Sequence, residues 1–268
     1  MGPTDPPGPA QGEDLLRQAE ALEKAAAAAR VGFYRSCEPS IAAGGRLLDV
    51  GCGNGDSVAE WRAAGIRAIG VDASFYRLSR WAALRRRLPL ALADAANLPF
   101  ADGAFETAIA SGLLEHVGVE ELSNPYRITA RPEKPSARAR VVAELLRVVA
   151  SGRGVYLDGP NGDFPVDFWH GDRVGAFRPH RVPDTLCPSL GELEGYARAA
   201  SAELTLLPVG ERLRFRQIAH RSWGRLLAPA ARAALRFLDA LPRGPLRPLL
   251  ARLYPFLVVR VERRASAR

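Results

Sequence analysis

An apolar run passes directly into alternating glycines in Leu47-Leu48-Asp49-Val50-Gly51-Cys52-Gly53-Asn54-Gly55-Asp56-Ser57. The pattern predicts a buried strand, a tight loop and a helix that begins at once. Glycines in such a loop can adopt positive φ, and they let the backbone approach a ligand because they carry no Cβ. The helix would offer free N–H groups to that ligand, with Asp56 or Ser57 as its cap. By itself, the glycine triplet also fits a simple tight turn.

A second predicted strand ends in Gly70-Val71-Asp72, which places a carboxylate 17 residues after Gly55. An acid at the tip of the second strand in such a unit accepts hydrogen bonds from a ribose diol. The dinucleotide pattern needs its third glycine at position 56, where this chain has an aspartate. With Asp49 two residues before the first glycine, the pattern is D-x-G-x-G-x-G. It resembles the first motif of class I S-adenosylmethionine-dependent methyltransferases.

The resemblance continues along the chain in three further segments. The segment 92–106 is similar to the third strand of that family and its turn into the fourth, and Ser111–Val117 resembles the segment after strand four in the small-molecule (type-11-like) branch. Ala143–Val149, with glycines at 152 and 154, is similar to the helix before strand five. The resemblance covers about residues 45–162. It implies an α/β fold with a doubly wound Rossmann-like sheet, mainly parallel with an antiparallel C-terminal strand, and S-adenosyl-L-methionine as cofactor.

The resemblance also implies roles for individual residues. Asp49 would support the glycine loop and the cofactor's amino group, Asp72 would bind the ribose hydroxyls, and Asp94 would accept from the adenine amino group. For Asp94 the alternative is a turn cap. The remaining cofactor residues implied are Gly51, Cys52, Gly53 and Gly55 at the methionine part, Ala73 and Ala95 near adenine, and Ser111 and Gly112 under the methionine part.

Short apolar runs alternate with helical stretches along most of the chain, which favours a parallel sheet covered on both faces. Residues 1–12 are rich in proline and glycine and are predicted to be disordered. Residues 13–268 are predicted to form one domain, with a helical insertion at about 211–253 before the last strand. The predicted strands are 46–50, 66–71, 90–93, 105–110, 154–157, 203–209 and 256–261, and the predicted helices are 13–36, 57–64, 75–87, 137–150 and 190–200.

Two segments beyond the strand ends could hold the acceptor and a general base. Methyl transfer mainly requires an acceptor that is held in line and shielded from water, and an oxygen or nitrogen acceptor also needs a base. The first segment contains His116. The second, 158–172, mixes aromatic residues with acids, as substrate pockets do, and contains His170. We expect His170 to be the base, with His116 as the alternative; no metal is predicted, although Asp167, His170 and Asp172 could form a weak ligand set.

The net charge of +8 is concentrated in the C-terminal fifth. Residues 211–268 hold 14 Arg and three acids, a net +11, which leaves −3 for the other 210 residues. Five of these arginines, at 214, 221, 225, 232 and 236, fall on one helical face, and Pro229 is expected to divide the region into two helices. Three interpretations of this region remain possible. It forms a lid with a solvated arginine face, or a surface that meets an anionic membrane or lipid-like acceptor, or, less favoured, an RNA-binding surface.

The other features of the sequence narrow the class of protein. No signal peptide or membrane-spanning run is predicted, and three widely spaced cysteines favour a reduced, cytoplasmic protein. We expect a methyltransferase that acts on a small or lipid-like organic acceptor. The alternatives are a non-catalytic scaffold that binds the cofactor, an RNA methyltransferase, and a relative that transfers an aminopropyl group.

Overall fold

The computed structural model describes residues 21, 24–36, 38, 41, 44–75, 77, 87–123, 126–167, 178–179, 186–209, 222–241 and 247–263. The strands of its main sheet are β1 (Arg46–Val50), β2 (Arg67–Asp72), β3 (Leu90–Leu92), β4 (Thr107–Ser111), β7 (Gly154–Pro160), β10 (Ala202–Leu206) and β11 (Phe256–Arg263). Two hairpins lie outside it: β5 (Val119–Ser123) with β6 (Tyr126–Ala130), and β8 (Val166–Asp167) with β9 (Arg178–Pro179). The predicted disordered segment 1–12 lies outside the described residues.

The main sheet has seven strands in the order β10-β11-β7-β4-β1-β2-β3. The five strands from β7 to β3 run parallel to one another, whereas β11 is antiparallel to both of its neighbours. Every residue of β4 and of β7 is buried, as expected for central parallel strands that are covered on both faces. The prediction of a mainly parallel sheet with an antiparallel C-terminal strand is confirmed.

Helices cover the sheet. They are α1 (residues 24–36), α2 (Asp56–Ala63), α3 (Lys134–Val148), α4 (Leu190–Ala199), α5 (Ser222–Ala240) and α6 (Arg247–Ala251). Pro135 occupies the first turn of α3, where its missing N–H costs nothing, and the helix starts three residues before its predicted start. Ser189 and Glu192 form a reciprocal capping box that fixes the start of α4.

The start of α2 differs from the prediction. Gly55 is the N-cap, with φ 78°, and no side chain caps the helix. Ser57 Oγ instead donates a hydrogen bond of 2.5 Å to Asp49 Oδ2. The hydroxyl is therefore used to hold a buried carboxylate rather than the helix terminus.

The predicted division of the insertion at Pro229 is wrong within the described residues. Helix α5 runs through Pro229 without a break. Proline in a helix interior costs about 3 kcal/mol. Two kinds of contact attach α5 to the domain and offset that cost. Ala228 and Leu235 are buried, and the Asp239 carboxylate accepts from Val209 N at 3.1 and 3.2 Å.

Candidate active site

An open cleft of about 840 Å³ lies at the carboxyl ends of the parallel strands. This is the edge at which open α/β sheets bind ligands. The cleft collects residues that are far apart in sequence, since consecutive strands bring their ends to the same edge. Its lining includes predicted site residues Gly51, Asp72, Ala73, Asp94, Ala95, Gly112 and His116.

The glycine loop adopts the conformation that its sequence predicts. Gly51, Gly53 and Gly55 have φ of 75°, 58° and 78°. A Cβ on Gly51 would lie 3.0 Å from Cδ1 of Leu113, and one on Gly53 would lie 2.9 Å from Nη1 of Arg77. Both positions need glycine because of their positive φ, whereas the contacts are with the ends of flexible side chains that can move.

Asp72 connects the glycine loop to the end of β2. Its Oδ2 accepts a hydrogen bond from Gly53 N at 2.9 Å, and its Oδ1 accepts from Ser74 N at 2.9 Å. Each carboxylate oxygen can accept two hydrogen bonds, so both retain capacity for a further donor. Asp72 lines the cleft while it holds the loop, which is the arrangement that a diol-binding carboxylate needs.

Asp94 also lines the cleft and is exposed. Its Oδ1 accepts from Ala96 N at 2.9 Å, so the turn-capping role considered for it is present. The turn that follows is fixed from α3: Arg147 donates to the carbonyl oxygens of Leu98 and Phe100 at 2.9 and 2.8 Å. This contact positions the loop between β3 and β4 against the sheet.

A buried acid lies beneath the glycine loop. Asp49 is 1% exposed, and burial raises the pKa of its carboxyl group, while the nearby Arg30 opposes the rise. Among the described residues, no donor reaches Asp49 Oδ1. Asp49 Oδ2 accepts from Ser57 Oγ, which ties β1 to the first turn of α2; the role of Asp49 toward the cofactor's amino group stays a prediction.

A second buried acid joins three elements at the end of β7. Asp158 accepts from Tyr34 Oη at 2.6 Å and from Ser111 Oγ at 2.5 Å. Tyr34 belongs to α1 and is fully buried. Sequence reasoning did not single out Tyr34, because nothing local marks a tyrosine whose partner lies 124 residues away.

Five predicted cofactor residues are not part of the lining of the cleft: Asp49, Cys52, Gly53, Gly55 and Ser111. The Cys52 side chain is 6% exposed and packs beneath Gly70, where an added Cβ would lie 2.7 Å from its Sγ. Burial and the neighbouring acids Asp49 and Asp72 raise the pKa of the Cys52 thiol. The side chain of Cys52 is thus part of the core.

The structure describes one of the two candidate bases, His116. His116 ends a 3₁₀ turn after β4, is exposed, and lines the cleft beside Gly112. His170 lies outside the described residues, as does Asp172. Within the described part of the chain, no group of three or more His, Cys, Asp and Glu could hold a metal ion.

Three arginines at the cleft were not predicted. Arg77, Arg131 and Arg140 line it together with the predicted acids. Arg77 was accessible to sequence reasoning, since it follows Asp72 by five residues at the start of a predicted helix. Arg131 and Arg140 reach the cleft from the end of the β5–β6 hairpin and from α3, whose placement no local pattern indicates.

The family model described as a methyltransferase domain matches residues 48–155. The match agrees with the class I methyltransferase resemblance that the sequence motifs predict. The matched residues run from the middle of β1 to the start of β7, so α1, β10 and β11 lie outside the match.

Two curated relatives share part of the methyltransferase domain. A demethylmenaquinone methyltransferase from Corynebacterium kroppenstedtii is 36% identical over 115 residues, 43% of this chain and 48% of that protein. One from Mycobacterium sp. (strain KMS) is 29% identical over 137 residues, 44% of this chain and 59% of that protein. The chain therefore spans about half the length of the curated relatives it matches.

A solved structure shares the fold over most of the chain. The S-adenosylmethionine-dependent methyltransferase from Mesorhizobium loti is 16% identical, with a TM-score of 0.50, and the alignment covers 88% of this chain and 98% of that one. None of the described helices is both long and apolar enough to cross a membrane.

Proposed function

We propose that the protein is an S-adenosylmethionine-dependent methyltransferase that acts on a small or lipid-like organic acceptor. The observation that carries the proposal is the cleft itself, which brings Gly51, Asp72, Asp94 and His116 together from four segments. Core packing gives no reason for two carboxylates at one sheet edge, since desolvating a charge is costly. The demethylmenaquinone methyltransferase relatives make a lipid-like quinone the first acceptor to test.

The residues of the cleft fit S-adenosylmethionine. Asp72 has acceptor capacity for the ribose diol, and Asp94 can accept from the adenine amino group. Asp49 Oδ1, which no described donor reaches, lies buried beneath the glycine loop and would act on the cofactor's amino group through a bridging water. The positive-φ glycine loop brings its backbone to the cleft at Gly51. These are the complementary groups that a zwitterionic nucleoside requires.

The cofactor, when bound, supplies a methyl group activated on a sulfonium. The residues of this chain would hold the acceptor in line, exclude water and accept a proton. The imidazole of His116 lines the cleft and is exposed, so it can accept the proton that an acceptor O–H, N–H or C–H loses. His170, the base that the sequence favoured, stays a candidate in a segment that we propose contributes to the acceptor pocket.

The cofactor assignment is tested by calorimetry on the wild type and on Asp72→Ala. The substitution removes hydrogen bonds to a charged group, which are worth about 1.5–3 kcal/mol, so the Kd for S-adenosylmethionine should rise about 10- to 150-fold. Glu203→Ala, at an exposed position of β10 at the far edge of the sheet, is the control and should bind like the wild type. No binding by the wild type, or equal affinity of Asp72→Ala, would contradict the assignment.

The role of His116 is tested by turnover with a demethylated quinone, with the methylated product measured by mass spectrometry. His116→Ala should lower kcat about 100-fold or more if the imidazole is the base, with little change in cofactor affinity. His170→Ala is measured in parallel. Full turnover of His116→Ala with a loss in His170→Ala would transfer the role to His170, and cofactor binding without turnover on any acceptor would favour a scaffold.

A further inference from the structure

Helix α5 has two apolar sides, and the structure buries one of them. Ala228 and Leu235 are 7% and 4% exposed and face the domain. Leu226 and Phe237 are 80% and 66% exposed. Leu226 and Leu235 are nine residues apart, which is two and a half turns, so they lie on opposite sides of the helix.

The exposed residues form one continuous stripe. Leu226 and Phe237 are separated by 11 residues, about three helical turns, so they share a face. Ala230 and Ala233 lie between them on the same side and are exposed. In the described part of the chain, no residue of α5 lines the cleft, so the stripe does not serve as a wall of the active site.

Arginines border this stripe. Arg232 and Arg236 are exposed and lie on one flank of it, and Arg225 is in register with them by sequence. The acid of the helix, Asp239, accepts hydrogen bonds from Val209 N with both oxygens, so its charge is held toward the domain. The outward side of α5 therefore combines exposed apolar groups with positive charge.

We propose that this outward side of α5 docks on an anionic membrane surface. Leu226 and Phe237 would enter the boundary between headgroups and acyl chains, while Arg232 and Arg236 would lie at the level of the lipid phosphates. RNA would leave the apolar stripe in water, and a second copy of the chain would bring like arginine flanks together. The proposal depends on α5 alone, so it stands or falls independently of the acceptor.

The test is co-sedimentation of the full chain with vesicles of phosphatidylcholine alone or of equal parts phosphatidylcholine and phosphatidylglycerol. The wild type should bind the anionic vesicles, and added salt should weaken that binding. Arg232→Glu with Arg236→Glu should lower the partition coefficient about tenfold or more. Leu226→Ser with Phe237→Ser should lower it by a similar factor.

Phe75→Ser is the matched control, because Phe75 is a comparably exposed phenylalanine outside α5, at 74%. It should bind vesicles like the wild type, and circular dichroism should show every variant folded. Absence of wild-type binding to anionic vesicles at low salt would overturn the proposal. Salt-sensitive capture of RNA without vesicle binding, or a dimer in size-exclusion chromatography that Phe237→Ser abolishes, would overturn it in favour of those partners.

Discussion

Replacing Tyr34 with Phe isolates the hydrogen bond that joins helix α1 to the end of β7. Tyr34 is fully buried and donates to Asp158 at 2.6 Å. Phenylalanine keeps the ring and its edge contacts with Phe33 and Tyr156, at centroid distances of 5.2 and 5.5 Å. The change therefore removes the hydroxyl and leaves the apolar packing in place.

The expected magnitude follows from the charge and burial of the pair. A hydrogen bond to a charged group contributes about 1.5–3 kcal/mol, and the short distance and full burial of Tyr34 favour the upper half of that range. For a domain of this size, 1 kcal/mol corresponds to about 2–4 °C in Tm, so Tyr34→Phe should lower Tm by about 5–12 °C. Ser111, which also donates to Asp158, should show an energetic coupling with Tyr34.

The assays are thermal unfolding for Tm and urea unfolding for the free energy, both followed by circular dichroism, for the wild type, Tyr34→Phe, Ser111→Ala and the double variant. Ser136→Ala is the control, because its hydroxyl is exposed and bonds only locally to the Glu133 carbonyl, so its loss should change the free energy of unfolding by less than about 0.5 kcal/mol. A loss in Tyr34→Phe no larger than in Ser136→Ala would refute the reasoning. Additive losses in the double variant would show that the two donors act on Asp158 independently.

Three further predictions concern buried groups and glycines of the domain. Burial raises the pKa of Asp49 above its ordinary 3.8, so the folded protein holds this proton to a higher pH than the unfolded chain. Asp49→Asn should therefore raise the free energy of unfolding at pH 7. This gain should shrink as the pH falls through the pKa of Asp49 in the folded protein toward 3.8. An equal gain at all pH values in urea titrations would contradict the prediction. Burial raises the pKa of the Cys52 and Cys187 thiols, so neither should react readily with iodoacetamide at pH 8 in the native protein. Peptide mapping should find both unlabelled in the native protein and labelled in urea. Fast labelling of the native protein would contradict the prediction. Gly70→Ala should destabilise the protein by about 1–3 kcal/mol, because the added Cβ would lie 2.7 Å from three side chains. Gly195→Ala should stabilise it by about 0.5–1 kcal/mol, because the space around Gly195 in α4 is open and alanine favours a helix. Thermal unfolding that reverses this order would contradict the packing argument.

The parts of the fold that depend on local chemistry could be predicted from the sequence. Strand β1 has the predicted bounds, because an apolar run ends at a glycine that only a turn accommodates. Asp72 lies at the cleft because a parallel strand can end only at the edge where its neighbours end. Both inferences need only the position and direction of a strand, which the alternation of apolar runs with helical stretches along the chain indicates.

The parts that depend on long-range contacts could not be predicted. The bond between Tyr34 and Asp158 requires the packing of α1 on the sheet, which no periodicity encodes. Asp56 or Ser57 was expected to cap α2, yet Gly55 is the N-cap and the Ser57 hydroxyl donates to the buried Asp49 instead. Pro229 was expected to break its helix, and the prediction failed because tertiary packing offsets a local cost.

The position of β11 sets an order for completing the sheet during synthesis. β10 pairs only with β11 among the described strands, and β7 needs β11 to cover its outer edge. Roughly a hundred residues separate the end of β7 from the start of β11, so at about 5–20 residues per second the ribosome takes about 5–20 seconds between them. During that interval the fully buried strand β7 has an open edge, which is a site for pairing with another chain. A nascent chain of this protein therefore presents an unpaired strand edge, a site of possible aggregation, until β11 emerges.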